Sequence, residues 1–200
     1  MSERYRCFFA VDPCDDVRKA VASAQGTVAA AAGDVRWTRP ESLHVTLEFL
    51  GDVQSERIDA IAAAASVAFD GSAPFAMRAR GIGAFPTLRR PRVLWIGIEA
   101  PPLKTLAAAL DAALVRCGFP ASGPWRPHLT IGRVRSLRGS AETRGRLEAL
   151  GERDFGTTWV ESVQLYRSHL QPGGSVYEEL ARFPLAGGGD KEGVADGHRQ

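Results

Sequence analysis

Hydrophobic residues recur along the chain with two different periods, which separate predicted strands from predicted helices. Residues 5–11 are aromatic and β-branched and end at Asp12-Pro13, a pattern typical of a strand. Residues 103–117 place leucine every three to four positions and are followed by Gly118, which predicts a helix and its end. By the same criteria, further strands are predicted at 35–38, 44–50, 75–82, 92–98, 126–134, 160–168 and 175–183, and further helices at 15–32, 55–69 and 141–150.

Several predicted strands follow one another without an intervening helix. This order favours an α+β fold with antiparallel sheets over a doubly wound parallel sheet. We expect residues 1–186 to form a single domain, since the chain has 200 residues, of which 44% are hydrophobic and 24% charged. Residues 187–200 are rich in glycine and charge and offer little apolar surface to bury, so a disordered C-terminal tail is predicted.

Composition excludes several classes of protein. No apolar run is long enough to cross a membrane, and Asp12 interrupts the short apolar stretch 7–11, so neither a membrane partner nor a secretory signal is expected. Three cysteines without a Cys-x-x-Cys pair predict neither a disulfide framework nor a zinc site, so we expect a protein of the reducing cytoplasm. We also expect it to be a monomer. The chain contains neither a P-loop nor a dinucleotide-binding glycine pattern.

The positive charges are mostly arginine and are unevenly distributed. The formal net charge is only +2, yet residues 71–98 contain no Asp or Glu and include Arg89, Arg90 and Arg92. Arginine can bind a phosphate group through two parallel hydrogen bonds, so this stretch predicts contact with an anionic partner such as an RNA backbone. The alternative is a solvated arginine-rich loop in a chain whose genome favours arginine codons.

The most informative feature is a short motif that occurs twice. His44-Val45-Thr46-Leu47 and His128-Leu129-Thr130-Ile131 share the order His, apolar, Thr, apolar, and each closely follows an Arg-Pro pair. Side chains on a strand alternate between faces, so the His and Thr of each motif point to one surface while the apolar residues point to the core. Two such motifs in a chain with only four histidines are improbable by chance. We therefore interpret the pair as a functional site.

Two histidines on one surface suit acid–base catalysis without a metal. Imidazole ordinarily titrates at about 6.5, so one ring can accept a proton while the other donates one near neutral pH. The hydroxyls of Thr46 and Thr130 can donate hydrogen bonds to phosphate oxygens, and Arg133 can hold a phosphate at the end of the second strand. A metal site is the alternative; it needs further ligands, and Glu48 is the carboxylate that alternation places on the face of the first histidine.

The chain resembles the two-histidine phosphoesterases, in which paired His-x-Thr-x motifs lie on strands of two pseudo-symmetric lobes. The segments that carry the resemblance are RCFFAVD, RWTRPESLHVTLEFLGDV, FPTLRRPRVLWIGI and PWRPHLTIGRV, and the similarity runs from about residue 4 to residue 184. These segments are most similar to the RNA 2',3'-cyclic phosphodiesterase branch, historically called 2'-5' RNA ligases. The resemblance implies a bilobal α+β fold, with antiparallel sheets that face a central cleft and helices outside.

The resemblance also implies a reaction and residue roles. Such enzymes open an RNA 2',3'-cyclic phosphate to a 2'-phosphomonoester without a metal or other cofactor. His128 would be the general base that takes a proton from water, and His44 the general acid that protonates the leaving 3'-oxygen. Thr46 and Thr130 would hold the phosphate oxygens. A 2'-5' ligation of a cyclic-phosphate end to a 5'-hydroxyl is implied as a minor reaction.

Two aromatic residues and two other functions complete the expectations. Phe9 and Trp125 are candidates to stack on a terminal base, although such aromatic residues commonly pack in the core.

A cyclic phosphodiesterase acting on small nucleotides and a non-catalytic RNA-binding module stay open as alternatives. Intact His and Thr in both motifs favour an enzyme, because a binding module needs no titratable pair. The arginine-rich stretch favours RNA over a small nucleotide.

Overall fold

A computed structural model of the chain describes residues 3–29, 34–136, 140–171 and 174–187. Its strands are β1 Arg4–Val11, β2 Val35–Trp37, β3 Val45–Gln54, β4 Phe75–Thr87, β5 Arg90–Glu99, β6 His128–Val134, β7 Asp154–Val160, β8 Ser162–Gln171 and β9 Gly174–Pro184. Its helices are α1 Asp15–Ala29, α2 Ile58–Phe69, α3 Pro101–Arg116 and α4 Ser140–Leu150, and short 3-10 turns cover Pro40–Ser42 and Ser55–Arg57. Apart from Gly187, the predicted tail lies outside the described residues.

The strands pair antiparallel in one sheet with two halves. In the described ranges the strand order is β7-β4-β5-β6-β3-β1-β8-β9, and β2 pairs with the far end of β6. The two halves of the sheet are joined at a single paired position between β3 and β6, Val45 with Leu129. The four strands β3-β1-β8-β9 therefore lie on one side of this bridge, and β6-β5-β4-β7 lie on the other. The predicted α+β class with antiparallel sheets is confirmed.

The helices connect the two halves into a common core. Helix α1 follows β1 of one half but packs on β7 of the other half and on α4, whereas α2 and α3 pack on each other, on β9 and on β3. One cluster of buried apolar side chains includes Met77 of β4 and Val163 of β8, which lie in different halves. Leucines 103, 106, 110 and 114 of α3 are all buried, because their spacing puts them on one face of the helix.

Some strand boundaries differ from the sequence prediction. The strand predicted at 160–168 is present as β8, which runs from Ser162 to Gln171, and Val160 is the last residue of β7. The sequence pattern does not predict β7, because its buried positions do not alternate regularly. An extra residue, Phe155, bulges out of its pairing with β4, and the next residue, Gly156, adopts a φ of 103°.

Two other strands run further than the turn residues in them suggest. Strand β3 continues through Gly51-Asp52 to Gln54, because it pairs with β1 along its whole length and Gly51 accepts a φ of 67°. The β4–β5 hairpin extends to Thr87 and Arg90, where the sequence predicts a loop between residues 82 and 92. No helix within the described ranges is both long and apolar enough to span a bilayer.

Candidate active site

The bridge between β3 and β6 brings the two His-apolar-Thr-apolar motifs together. Val45 pairs with Leu129, and both side chains are fully buried in the core. The antiparallel register sets the His of each motif opposite the Thr of the other, on the face away from the core. The four side chains on this face, all partly buried, are His44, Thr46, His128 and Thr130. The Val45–Leu129 pair thus lies on a pseudo-twofold axis of the cluster.

Each motif ends in a β-bulge at its fourth residue. Leu47 is the extra residue of β3 opposite β1, and Ile131 is the extra residue of β6 opposite β5. A bulge changes the face to which the following side chains point. The repetition of the bulge in both halves extends the pseudo-symmetry beyond the four polar side chains. Strand alternation alone does not predict it.

Both imidazole rings are oriented by the same kind of hydrogen bond. Nδ1 of His44 lies 2.9 Å from the carbonyl oxygen of Ser42, and Nδ1 of His128 lies 2.8 Å from the carbonyl oxygen of Arg126. A carbonyl oxygen can only accept, so Nδ1 carries a proton in each ring and donates it. Each Nε2 is therefore the atom that can accept a proton from a ligand or give one to it.

An aromatic cluster covers one side of His44. The ring centroid of His44 lies 4.8 Å from that of Phe8 and 5.0 Å from that of Tyr177, which packs edge-on. This burial lowers the pKa of His44 below the ordinary imidazole value, although the Ser42 carbonyl and the Asp12 carboxylate favour the charged ring. In the absence of an anionic ligand, His44 is therefore harder to protonate than an ordinary imidazole, and the neutral ring is favoured.

A polar network positions the segment that carries His44. Tyr166 Oη donates to Asp12 Oδ2 at 2.6 Å, and Arg18 Nη2 lies 3.8 Å from Asp12 Oδ1. Arg18 Nη1 also donates to the carbonyl oxygens of Pro40 and Leu43, the latter at 3.1 Å. These contacts join the end of β1, helix α1 and strand β8 to the turn before His44. Sequence reasoning misses the network, because only Asp12 at the end of a predicted strand signals it locally.

Contacts from both halves surround the segment that carries His128. The ring of Phe85 packs edge-on with a centroid distance of 5.2 Å. Trp125 Nε1 donates to the carbonyl oxygen of Thr46 at 3.0 Å, which ties the approach to the second motif to the first motif. A cavity of about 480 Å³ opens beside these residues. Its polar and aromatic lining includes Thr46, Glu48, Ser122, Trp125 and His128.

Glu48, the carboxylate considered as a metal ligand, is engaged in the wall of this cavity. It accepts a hydrogen bond from Ser122 Oγ, and its Oε1 accepts one from the backbone N–H of Phe49 at 3.1 Å. Among the residues that the structure describes, no three His, Cys, Asp or Glu side chains form a group that could hold a metal ion.

The prediction that Phe9 contacts a base is wrong. Phe9 is fully buried on the core face of β1, where it packs on Phe69 and Phe183. Its neighbour Phe8 points to the opposite face and contacts His44. Both faces of β1 are covered by other parts of the chain, so the local sequence gives no sign of which phenylalanine faces the site. Trp125 does border the site, and its contact with a base stays a prediction.

Arg133 lies in a second cavity, of about 140 Å³, next to Tyr177. Strict alternation from His128 would point Arg133 into the core. The bulge at Ile131 turns it outward, where it is exposed. The sequence gives no local signal for Tyr177. Its position beside both His44 and this cavity depends on the pairing of β9 with β8.

The predicted RNA-contacting arginines of the acid-free stretch lie further along the sheet. Arg90 and Arg92 line a third cavity, of about 860 Å³, together with Arg135. Arg89 is exposed in the turn of the β4–β5 hairpin. These side chains form a basic surface at the turn end of the hairpin, and their contact with RNA stays a prediction.

Comparison with known proteins agrees with the internal pseudo-symmetry. A family model described as LigT like Phosphoesterase matches the chain twice, at residues 11–95 and 96–177. Each matched segment contains one of the two motifs.

Individual relatives match over nearly the whole chain. The RNA 2',3'-cyclic phosphodiesterase of Methanothermobacter thermautotrophicus is 35% identical over 183 residues, which cover 91% of this chain and 100% of the relative. That of Archaeoglobus fulgidus is 36% identical over 180 residues, which cover 89% and 99%. A solved structure from Thermus thermophilus has a TM-score of 0.77 and 32% identity over 92% of this chain and 100% of that one. E. coli LigT complexed with 3'-AMP has a TM-score of 0.73 and 28% identity over 92% and 99%.

Proposed function

The chain belongs to the LigT-like phosphoesterase family, and from that membership we propose that it hydrolyses RNA 2',3'-cyclic phosphodiester ends to 2'-phosphomonoesters. The observation that carries the proposal is the geometry of two imidazoles across one strand bridge. In both rings Nδ1 donates to a backbone carbonyl, so Nε2 is the nitrogen available for proton transfer. Such a pair can supply an acid and a base to a single phosphorus atom.

The reaction needs one proton transfer at each ring. His128 accepts at Nε2 a proton from water, and the water oxygen forms a bond to phosphorus. The bond between phosphorus and the 3'-oxygen breaks, and His44 gives the proton on its Nε2 to that oxygen. The phosphate is left on the 2'-oxygen. With a 5'-hydroxyl in place of water, the same steps produce a 2'-5' linkage.

The electrostatics of His44 suit an acid that becomes protonated when substrate binds. Burial lowers its pKa in the free protein. A cyclic phosphodiester carries one negative charge, and an opposite charge a few ångströms from an imidazole raises the pKa of that ring. Substrate binding therefore favours protonated His44 at the step in which the 3'-oxygen needs a proton.

The threonines supply donors for the oxygens of the cyclic phosphate, and Arg133 contributes positive charge nearby. In the antiparallel register Thr46 lies across from His128, and Thr130 lies across from His44, so one hydroxyl accompanies each ring. Hydrogen bonds to the two nonbridging oxygens stabilise the negative charge that grows there in the transition state. Arg133 adds a positive charge from the neighbouring cavity.

A small cyclic nucleotide is the second candidate substrate. The 3'-AMP complex of E. coli LigT favours it, because that ligand is a mononucleotide. The third possibility, a non-catalytic RNA-binding module, is not proposed, since the family is one of phosphoesterases.

The product of a defined substrate tests the proposal. An RNA oligonucleotide that ends in a 2',3'-cyclic phosphate is incubated with the protein, and the product is identified by ³¹P NMR. We expect a 2'-phosphomonoester; a 3'-phosphomonoester, or no turnover, would refute the proposal. His44→Gln and His128→Gln should slow formation of the product by about 10²–10⁴-fold. His169→Gln is the matched control, because His169 pairs with the exposed carboxylate of Glu178 on β9.

A further inference from the structure

Two arginines face each other across neighbouring strands, and among the described residues neither has a counter-charge. Arg36 of β2 pairs with Arg133 of β6, and both side chains are exposed. Neither guanidinium takes part in an ion pair within the described part of the chain, where other arginines do. Like charges directly opposite each other in an antiparallel pair destabilise the folded state. The fold therefore contains a repulsion that a bound anion would relieve.

The same two arginines line the cavity of about 140 Å³ together with Arg39. We call this space the arginine cavity, after Arg36, Arg39 and Arg133. None of the described residues that line it is acidic. Glu41 lies 3.4 Å from Arg39 and partly neutralises that one side chain. The cavity thus retains a clear excess of positive charge.

The arginine cavity is adjacent to the first histidine. Two of its lining residues, Ser42 and Tyr177, also contact His44. The Ser42 carbonyl accepts the hydrogen bond from His44 Nδ1, and the Tyr177 ring packs edge-on against the imidazole at 5.0 Å. The arginine cavity and the acid–base site therefore share these two residues.

We propose that the arginine cavity binds a second phosphate group of the substrate, the phosphate on the 5' side of the terminal nucleotide. This inference rests on the proposed function. When the cyclic phosphate lies between the histidines, the 5'-phosphate is the other anionic group attached to the same nucleoside. Arginine suits this role because its guanidinium donates two parallel hydrogen bonds to a phosphate.

The inference defines a substrate class. The cavity recognises a 5'-phosphate on the terminal nucleotide, whether that phosphate is an internucleotide diester of an RNA chain or a free monoester. A nucleoside 2',3'-cyclic phosphate without a 5'-phosphate leaves the cavity unused. Arg36 is then a specificity residue that does not touch the reacting phosphorus.

Three substrates separate the possibilities. They are a nucleoside 2',3'-cyclic phosphate, the same compound with a 5'-phosphate, and a dinucleotide that ends in a 2',3'-cyclic phosphate. We expect kcat/KM for both 5'-phosphorylated substrates to exceed that of the first by about tenfold, the effect of one charge-assisted hydrogen bond. A higher value for the dinucleotide than for the monoester identifies RNA as the source of the phosphate, and the reverse order identifies a small nucleotide. Equal kcat/KM with and without the 5'-phosphate overturns the inference.

A substitution assigns the preference to the cavity. Arg36→Gln keeps a polar side chain but removes the charge, and it should lower the ratio of kcat/KM values, 5'-phosphorylated to unphosphorylated, by about tenfold. Arg116→Gln, on the exposed side of α3, is the matched control and should leave the ratio unchanged. An unchanged ratio in Arg36→Gln overturns the inference but not the proposed function. Absence of turnover with all three substrates overturns both.

Thermal unfolding without ligand gives a second readout. Because Arg36→Gln removes a like-charge pair, it should raise Tm at low ionic strength, and the gain should shrink as salt screens the repulsion. If Arg36 instead stabilised the folded state, its replacement by Gln would lower Tm. A lower Tm in Arg36→Gln would therefore contradict the argument that an anion is needed between the two arginines.

Discussion

Phe8→Leu should raise the pKa of His44, and the resulting change in the pH dependence of activity should show whether His44 is the general acid or the general base. Phe8 is 2% exposed, and its ring centroid lies 4.8 Å from that of His44 and 5.0 Å from that of Tyr177. Burial is the largest cause of the lowered pKa of His44. A smaller side chain at position 8 admits water to the imidazole, so the pKa moves up towards the ordinary value of about 6.5.

The cost of this substitution in stability is small enough to keep the protein folded. Truncation of a buried phenylalanine to alanine costs about 3–5 kcal/mol, and leucine retains most of the buried carbon, so we expect roughly 1–2 kcal/mol. That cost corresponds to about 2–8 °C in Tm for a domain of this size. Phe9→Leu is the matched control: Phe9 is equally buried, but on the other face of β1. It should lose similar stability and leave the pKa of His44 unchanged.

Two measurements together identify the role of His44. NMR titration of the imidazole Cε1–H signals gives the pKa of each ring, and the pH dependence of kcat/KM gives the two limbs of the activity profile. A general acid must be protonated, so activity falls as the pH rises through its pKa. A raised pKa of His44 therefore moves the alkaline limb to higher pH. The limbs belong to the interacting pair, which is why the NMR assignment is needed.

Two results would refute this reasoning. If the acid limb moved in Phe8→Leu while the alkaline limb stayed, His44 would be the base and not the acid. If the pKa of His44 did not change, burial by Phe8 would not be the reason for its lowered value.

The remaining predictions concern the same site. Replacement of His44 or His128 by Gln should lower kcat by about 10²–10⁴-fold, and steady-state kinetics of the double variant should show little further loss, because both rings act in one step. Thr46→Val or Thr130→Val should cost about 1–3 kcal/mol of transition-state stabilisation, visible in kcat; an effect confined to KM would argue for ground-state binding alone. The rate of hydrolysis should be the same with and without excess EDTA. A loss of activity in EDTA that added metal reverses would contradict the two-histidine mechanism. Because folding lowers the pKa of His44, the unfolded chain takes up that proton first as the pH falls below about 6.5. Urea denaturation should therefore show that the wild-type protein loses more stability than His44→Gln between pH 7 and pH 5.

The long periodic elements of this fold are predictable from the chain alone. The leucine spacing of α3 and the His-apolar-Thr-apolar order at the start of β6 mark one face of each element as apolar, and this periodicity is local in the sequence. Strand β7 is different, because the extra residue Phe155 and the φ of Gly156 break its alternation. Its pairing with β4 supplies the hydrogen bonds that stabilise it, and this partner is distant in the chain.

The side chains around the motifs show the same division. Alternation predicts that Phe8 and Phe9 point to opposite faces, but both faces of β1 are buried, so it does not predict which ring contacts His44. Arg133 points outward because of a bulge that belongs to the pairing of β5 with β6. The network of Arg18 and Asp12 joins elements that only the tertiary structure brings together.

The amino-acid order alone identifies the chemistry: two imidazoles and two hydroxyls, each pair on one face of a strand, because side chains on a strand alternate by covalent geometry. Whether the two pairs meet is decided by one antiparallel contact, Val45 with Leu129, between segments far apart in the chain. The orientation of each ring depends in the same way on a backbone carbonyl that the fold holds in place. Hydrogen-bonded register and the burial of one element by another are properties of the assembled sheet, and no local pattern contains them.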